Sequence, residues 1–418
     1  MRDNTLVAAM KALGHDVTML PMYTPLRVDE ASVSEKYVFY GGIEAYLLQR
    51  FPRSSLWRSA LLKAAGSQAL IRLMPYFDVG TAVDPQANAE MTLSMLRGEM
   101  GNQSSLLEEM VAWLATTLRP DMVHITNTLV SGPARAIKQA LNGPLFCGLH
   151  GEDVFIDGIP EPHRSQALAL IRENAAYIDH FIAISHYYAD YFGDLVGIDP
   201  AKISVVRPGI ALEDYKDAPG PHSVPERPLT IGYLARISPE KGLHILVEAF
   251  IELCRQGQFP GLRLKVAGYL SRAHAGYVND IQRRLKEAGL SDRVEIIGTV
   301  DRQQKVAFLQ SIDVFSLPTV YRDPKGLPVL EALANGVPVV QPDHGAFPEL
   351  IKATAGGLLH KPEDPRDLGA KLATLLNDTR LLVEMGQRGR TAVHTQFSAE
   401  RMAAETVQVY QRVLREPC

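Results

Sequence analysis

Cysteine is scarce in this chain. Cys147, Cys254 and Cys418 stand far apart, with no C-x-x-C pair and no Cys/His ligand spacing. That argues against a disulfide framework and structural zinc, and it suits a reducing compartment. A surplus of charge of either sign is also missing. A formal net charge of -4 over 418 residues offers no basic footprint for nucleic acid. No apolar run reaches the length of a membrane span, and the first residues lack the apolar region of a signal peptide. The expectation is a cytoplasmic protein without a transmembrane segment, with peripheral membrane contact left open. Three chemical signatures are absent as well. No G-x-G-x-x-G follows a strand-like run, and neither a P-loop nor a G-x-S-x-G elbow occurs. Dinucleotide oxidoreductases, P-loop NTPases and α/β-hydrolases lose their fingerprints.

What is present is an ordinary globular composition, 46% hydrophobic and 22% charged. The chain is too long for one core, so two large domains are expected. Residues 4–14 carry apolar positions at helical spacing, Leu6, Met10 and Leu13, closed by Gly14. Residues 17–22 read as a strand. A less regular, mostly helical elaboration spans about 24–118, including Phe39-Tyr40-Gly41-Gly42-Ile43, a helix over 45–51, and Trp57, Tyr76 and Phe77. It reads either as packing on a sheet or as an acceptor-site wall.

Alternation is clear from Pro120. Strands over 121–126, 144–150, 180–184 and 203–207 are separated by helices over 131–141, 162–176 and 187–195. A second series has strands over 229–234, 262–267, 294–298, 314–317 and 337–340. Its helices cover 243–255, 275–288 and 303–310, and 367–376, 380–393 and 399–414 close the chain. Strands alternating with helices of such length mean parallel βαβ units. The reading is α/β: a first Rossmann-like domain over 1–216, a proline-rich linker over 217–228, a second doubly wound domain over 229–396, and a helix over 397–418 crossing back. Two such sheets form a cleft, with ligands held where loops leave the carboxyl ends of the strands.

One stretch concentrates the chemistry: Asp323-Pro324-Lys325-Gly326-Leu327-Pro328, Glu331, then Asn335-Gly336-Val337-Pro338. Asp323 is pushed towards extended backbone by its proline. Gly326 permits close approach, and Pro328 suits a helix start. Asn335-Gly336 ends that helix. A glycine turn feeding a helix N-terminus between two carboxylates suits an anion that carries hydroxyls. Each part also has a plain structural reading: Glu331 favours a first turn by the dipole alone, and Asp323 can be a turn residue. Arg236 and Lys241-Gly242 leave the first strand of the second series, where a diphosphate would bind. Ordinary loop cations, one of them paired with Glu240, would look the same. His150-Gly151-Glu152-Asp153 ends a first-domain strand and faces the same cleft, whereas His124 reads as core or support.

In this order the segments resemble family 4 glycosyltransferases, enzymes of the GT-B fold that retain anomeric configuration. The matching text is His150 to Asp153, Phe181-Ile182-Ala183-Ile184-Ser185, Val205-Val206-Arg207-Pro208-Gly209, Arg236 through Lys241-Gly242, and Asp323 through Glu331 to Val340. The resemblance implies that Arg236 and Lys241 hold a donor diphosphate, with backbone at Gly326 and Leu327 on a phosphate. Glu331 would take the ribose hydroxyls. Asp323, where the family usually has glutamate, would contact the transferred sugar, and His150 would support that sugar. Asp153 is a further first-domain cleft candidate. The implied partners are a nucleotide-sugar donor and an acceptor that is a carbohydrate, a lipid or a small molecule. Neither a metal nor a cofactor is implied. Lys325 departs from the aromatic often found there. The family also begins with a strand and glycine-rich loop ahead of the helix that here starts at Asn4. Met1 is therefore expected to be internal to a longer chain, or the protein to be damaged. A non-catalytic nucleotide-sugar-binding or scaffold protein is the rival, and a GT-B epimerase or phosphorylase a weaker one.

Overall fold

The structure, a computed structural model, describes residues 2–22, 30–35, 85–216 and 227–415. The motifs over 39–57, Tyr76 and Phe77, and most of the 217–228 linker, lie outside the described residues. Two parallel sheets organise the rest. The first runs β1 (Val123–Ile125), β2 (Leu145–Leu149), β3 (His180–Ala183), β4 (Ile203–Val205), in that spatial order. Helices Ala134–Ala140, His163–Ala175 and His186–Val196 connect them.

Successive side chains of a strand point to opposite faces, and both faces of this sheet are apolar. Leu145, Cys147, Leu149 and Phe181 pack on one face with Ile171, Tyr188 and Phe192 of those helices. Phe146, Ile182 and Val206 turn to the other face. There they meet Leu6 and Met10 of helix Arg2–Ala12 and Met402, Ala403 and Tyr410 of helix Ala399–Arg415. The last helix thus packs back on the first sheet.

The second sheet contains β5 (Thr230–Leu234), β6 (Arg263–Ala267), β7 (Val294–Gly298), β8 (Val314–Ser316), β9 (Val339–Pro342) and β10 (Gly357–His360). Its spatial order is β10-β9-β8-β5-β6-β7, all parallel. That is the doubly wound 3-2-1-4-5-6 arrangement, and the winding reverses between β5 and β8. The sheets are joined where the Gly209-Ile210 segment runs beside Phe397-Ser398-Ala399. Ile210 N–H donates to Phe397 O (2.9 Å) and Ala399 N–H to Ile210 O (3.0 Å). A Cβ on Gly209 would lie 2.1 Å from Ser398 O, so only glycine lets the segments touch.

Several expectations need correction. Over 17–22 the described backbone makes isolated bridges, Met19 with Ser34 among them, and no strand. β9 starts at Val339, two residues later than expected, because Pro338 has no N–H to give a ladder, although its carbonyl accepts from Phe315 N–H of β8. The Gly151-Glu152-Asp153 loop continues into a short helix, Asp153–Asp157. Strand β10 and helix Phe347–Thr354 were not anticipated.

Candidate active site

The reversal point between β5 and β8 is where the chemistry gathers. After β5 the chain turns through Arg236 and Lys241 to Gly242, whose φ is 74°. A Cβ there would sit 1.7 Å from Pro318 O, so glycine is required to press Lys241 against the segment following β8. Lys241 Nζ lies 3.0 Å from Asp323 Oδ2 and 4.6 Å from the centre of the Tyr321 ring. It also donates to the Tyr321 hydroxyl, which in turn donates to Asp323 Oδ2. Asp323 Oδ1 accepts from the backbone N–H groups of Lys325 (2.9 Å) and Gly326 (3.1 Å).

Asp323 is buried, and burial alone would raise its pKa. Lys241, the Tyr321 hydroxyl and the two N–H groups outweigh that and bring it down to about 2. The carboxylate is therefore charged and engaged on both oxygens. It orients Lys241 and pins the turn that opens helix Leu327–Ala334. Gly326, with φ 62°, faces the Leu350 side chain, so the space its missing Cβ leaves is filled by protein.

Glu331 sits one turn along that helix. Its Oε1 accepts from Lys305 Nζ at 2.6 Å, and both side chains are buried. Glu331 and Leu327 line a narrow crevice shared with Arg2, Thr5 and Gly209 from the first-domain side. Arg236 takes a different position. It is exposed at the rim and pairs with Glu240 at 3.6 Å.

From the opposite wall, Gly151 meets this loop. Its φ is 97°, and a Cβ there would lie 2.7 Å from the Pro324 ring. That contact brings His150 to the cleft. His150 Nδ1 lies 4.0 Å from Asp3 Oδ1, and its buried Nε2 has no partner among the described residues. Burial, with Arg2 adding to it, holds its pKa well below the usual histidine range, so the ring is neutral. Its own N–H donates to Glu152 Oε2 (2.7 Å), and Glu152 also accepts from the Tyr188 hydroxyl (2.9 Å). Glu152 is thus the post that fixes the loop. Asp153, beside it, is buried, and its Oδ1 has no partner among the described residues. His124 bonds Tyr410 of the crossing helix, a supporting role as expected.

The structure brings Lys241, Asp323, Gly326 and Leu327 together, and Gly151 carries His150 to them. Glu331 shares their helix but is tied to Lys305. Three residues were missed. Tyr321 stands two residues before Asp323 and gave no spacing signal. Lys305 lies on the apolar side of its helix, three and four residues before Phe308 and Leu309, which was a usable cue. Glu349 accepts from His186 N (3.2 Å) and Tyr187 N (3.1 Å) across the cleft, a contact no local pattern could reveal.

Two doubly wound sheets facing a cleft, with a C-terminal helix packed back on the first, form the GT-B architecture. Residues 214–392 match the model described as glycosyl transferases group 1, and residues 94–214 the model described as glycosyltransferase family 4. The chain belongs to this group 1 and family 4 type superfamily of glycosyltransferases. It is 28% identical over 336 residues to a putative colanic acid biosynthesis glycosyltransferase, WcaL, of Escherichia coli, covering 78% of each chain. It is 28% identical over 300 residues to a glycogen synthase of Mycobacterium tuberculosis, covering 70% of this chain and 69% of that one. The fold is similar to that of Anabaena HepE in complex with UDP. The TM-score is 0.66 at 17% identity, over 95% of this chain and 100% of that one. A glycosyltransferase from Rickettsia africae matches with TM-score 0.63 at 14% identity, over 96% and 100%. No helix among the described residues is long and apolar enough to cross a membrane.

Proposed function

We propose that the protein is a retaining glycosyltransferase that moves a sugar from a nucleoside-diphosphate donor to an acceptor hydroxyl without a metal ion. The observation that carries this is the Lys241–Asp323 pair beside the N-terminus of helix Leu327–Ala334, at the reversal point of the second sheet. A fixed ammonium and a helix N-terminus are the groups that stabilise a leaving diphosphate. Arg236, freed from Glu240, adds a bidentate fork at the rim. The UDP in the HepE structure supports a nucleoside diphosphate as the leaving group.

In this reading Glu331 takes the ribose hydroxyls, with Lys305 aiming it. His150, neutral, bonds the transferred sugar through its unpartnered Nε2. Asp323 holds Lys241 and the turn, and reaches the sugar only through them. The bond between the anomeric carbon and phosphate oxygen breaks, its electron pair leaving with the diphosphate. The acceptor oxygen bonds that carbon on the same face, and its proton passes to the departing phosphate. Contact between Gly151 and Pro324 closes the cleft and keeps water from the donor.

The test is a panel of nucleoside-diphosphate sugars, following nucleoside diphosphate release by the purified protein and by Lys241→Met. One donor is expected to be turned over by the wild type, and turnover in the variant to fall by orders of magnitude. Calorimetric binding of a donor with no release under any condition would favour a non-catalytic nucleotide-sugar-binding protein and sink this reading.

A further inference from the structure

The cleft contains a carboxylate for which the donor site has no use. Asp153 is 7% exposed, and its Oδ1 has no hydrogen-bond partner among the described residues. Its N–H donates to the Tyr188 hydroxyl at 3.3 Å. Burying a carboxylate with an idle oxygen is costly, so a hydrogen-bond donor from outside is the partner the position lacks.

Its surroundings define that donor. Its bond to the Tyr188 hydroxyl sets Asp153 beside helix His186–Val196, where the Tyr187 and Tyr191 ring centroids lie 6.5 Å and 6.3 Å from that of Tyr188. Gly151, two residues before it, meets Pro324 of the loop that carries Tyr321 and Asp323, so Asp153 stands on the wall opposite the Lys241–Asp323 cluster. The Tyr187 and Tyr191 rings are half-buried and stacked, with centroids 5.7 Å apart and planes 9° apart. Val154 and Phe155, next along the short helix, are 41% and 50% exposed. An anionic ligand is repelled by Asp153. A sugar ring is suited on both counts, with C–H faces for the aromatic rings and hydroxyls for the carboxylate.

The geometry points to Asp153 as the acceptor-binding carboxylate, taking a hydroxyl of a glycoside on Oδ1 while the sugar ring lies against Tyr187 and Tyr191. This rests on the glycosyltransferase reading above and adds the acceptor's chemical class. Asp153 orients the attacking hydroxyl, whose proton still goes to the leaving phosphate.

The experiment uses the full chain and a donor that the wild type turns over. Nucleoside diphosphate release is measured with water as acceptor and with a panel of p-nitrophenyl glycosides. Asp153→Asn keeps the shape of the side chain. It is expected to leave hydrolysis and donor KM within about twofold of wild type while lowering kcat/KM for the glycoside about tenfold or more. Tyr191→Ala is expected to raise glycoside KM several-fold with hydrolysis unchanged. Equal glycoside transfer in Asp153→Asn and wild type would overturn the assignment. So would transfer by the wild type to none of the glycosides, or a parallel loss of hydrolysis and transfer in Asp153→Asn. Absence of release from every donor by the wild type is a separate result, which defeats the donor reading first and this one with it.

Discussion

Gly151 of the first domain and Pro324 of the second touch across the cleft, and the missing Cβ of Gly151 is what lets them. With φ at 97° and the proline ring 2.7 Å from where a Cβ would be, Gly151→Ala is penalised twice, by backbone strain and by collision. Because the two loops belong to different domains, parting the domains is the cheapest relief. Gly151→Ala should therefore lower kcat by tenfold or more while the melting temperature falls by a few degrees at most. A variant with wild-type kcat would mean that the loops do not meet during turnover.

Lys241 and Asp323 form a buried pair with a shared tyrosine, and removing one partner leaves the other charge stranded. Such a break costs about 3–5 kcal/mol. Lys241→Met should lose stability on that scale together with turnover, and Asp323→Asn should lose less stability because its hydrogen-bonding shape survives. The double variant should be more stable than the sum of the two singles, as a thermodynamic cycle by urea denaturation would show. Strict additivity would deny the coupling. Asp323 also adds an acid limb. Its folded pKa, about 2, lies below the unfolded value, so its contribution is fully present above about pH 4. It is lost as pH falls towards 2 and amounts to about 2–3 kcal/mol.

Histidines set a second pH window. His124 and His180 are both held down to about 4, first by burial and then by a neighbouring arginine, Arg2 and Arg412 respectively. Between about pH 6.5 and 4 the unfolded chain binds protons that the folded protein refuses. Stability should then fall with decreasing pH by about 1.4 kcal/mol per unit for each histidine. Urea melts at pH 7.5, 6.5 and 5 measure this slope. His180→Gln should flatten it by one histidine's share, and an unchanged slope would show that His180 takes up its proton in the folded state.

Most of the second sheet was legible because its strands are buried on both faces and read as short apolar runs between punctuating residues. β10 escaped because Gly357-Leu358-Leu359-His360 offers only two apolar residues. Over 17–22, apolar periodicity was present but few ladder partners are among the described residues, and periodicity alone does not specify pairing. The site was legible one residue at a time. Lys241 and Asp323 each stood out, but their bond joins positions 82 apart. That distance is bridged by the sheet order, which no local pattern encodes. The same holds for Glu331, whose partner Lys305 lies 26 positions away.

Glu349 extends this lesson to function. It lies in the first turn of helix Phe347–Thr354 in the second domain, yet its carboxylate caps helix His186–Val196 of the first. Ser185 already caps that helix from within, accepting from Tyr188 N at 3.2 Å, so Glu349 satisfies the two N–H groups that remain before it. A capping carboxylate is worth about 0.5–2 kcal/mol. Here the bond exists only while the domains face each other as they do in this structure, so its strength is part of the closing free energy. Glu349→Gln should keep a weak acceptor and reduce kcat modestly, whereas Glu349→Ala should lower it about threefold to thirtyfold. Global melting should shift little, because each domain keeps its core. Small-angle scattering should report a larger radius of gyration for Glu349→Ala than for wild type in the absence of donor. An unchanged radius combined with unchanged kcat would show that the cap contributes nothing to closure.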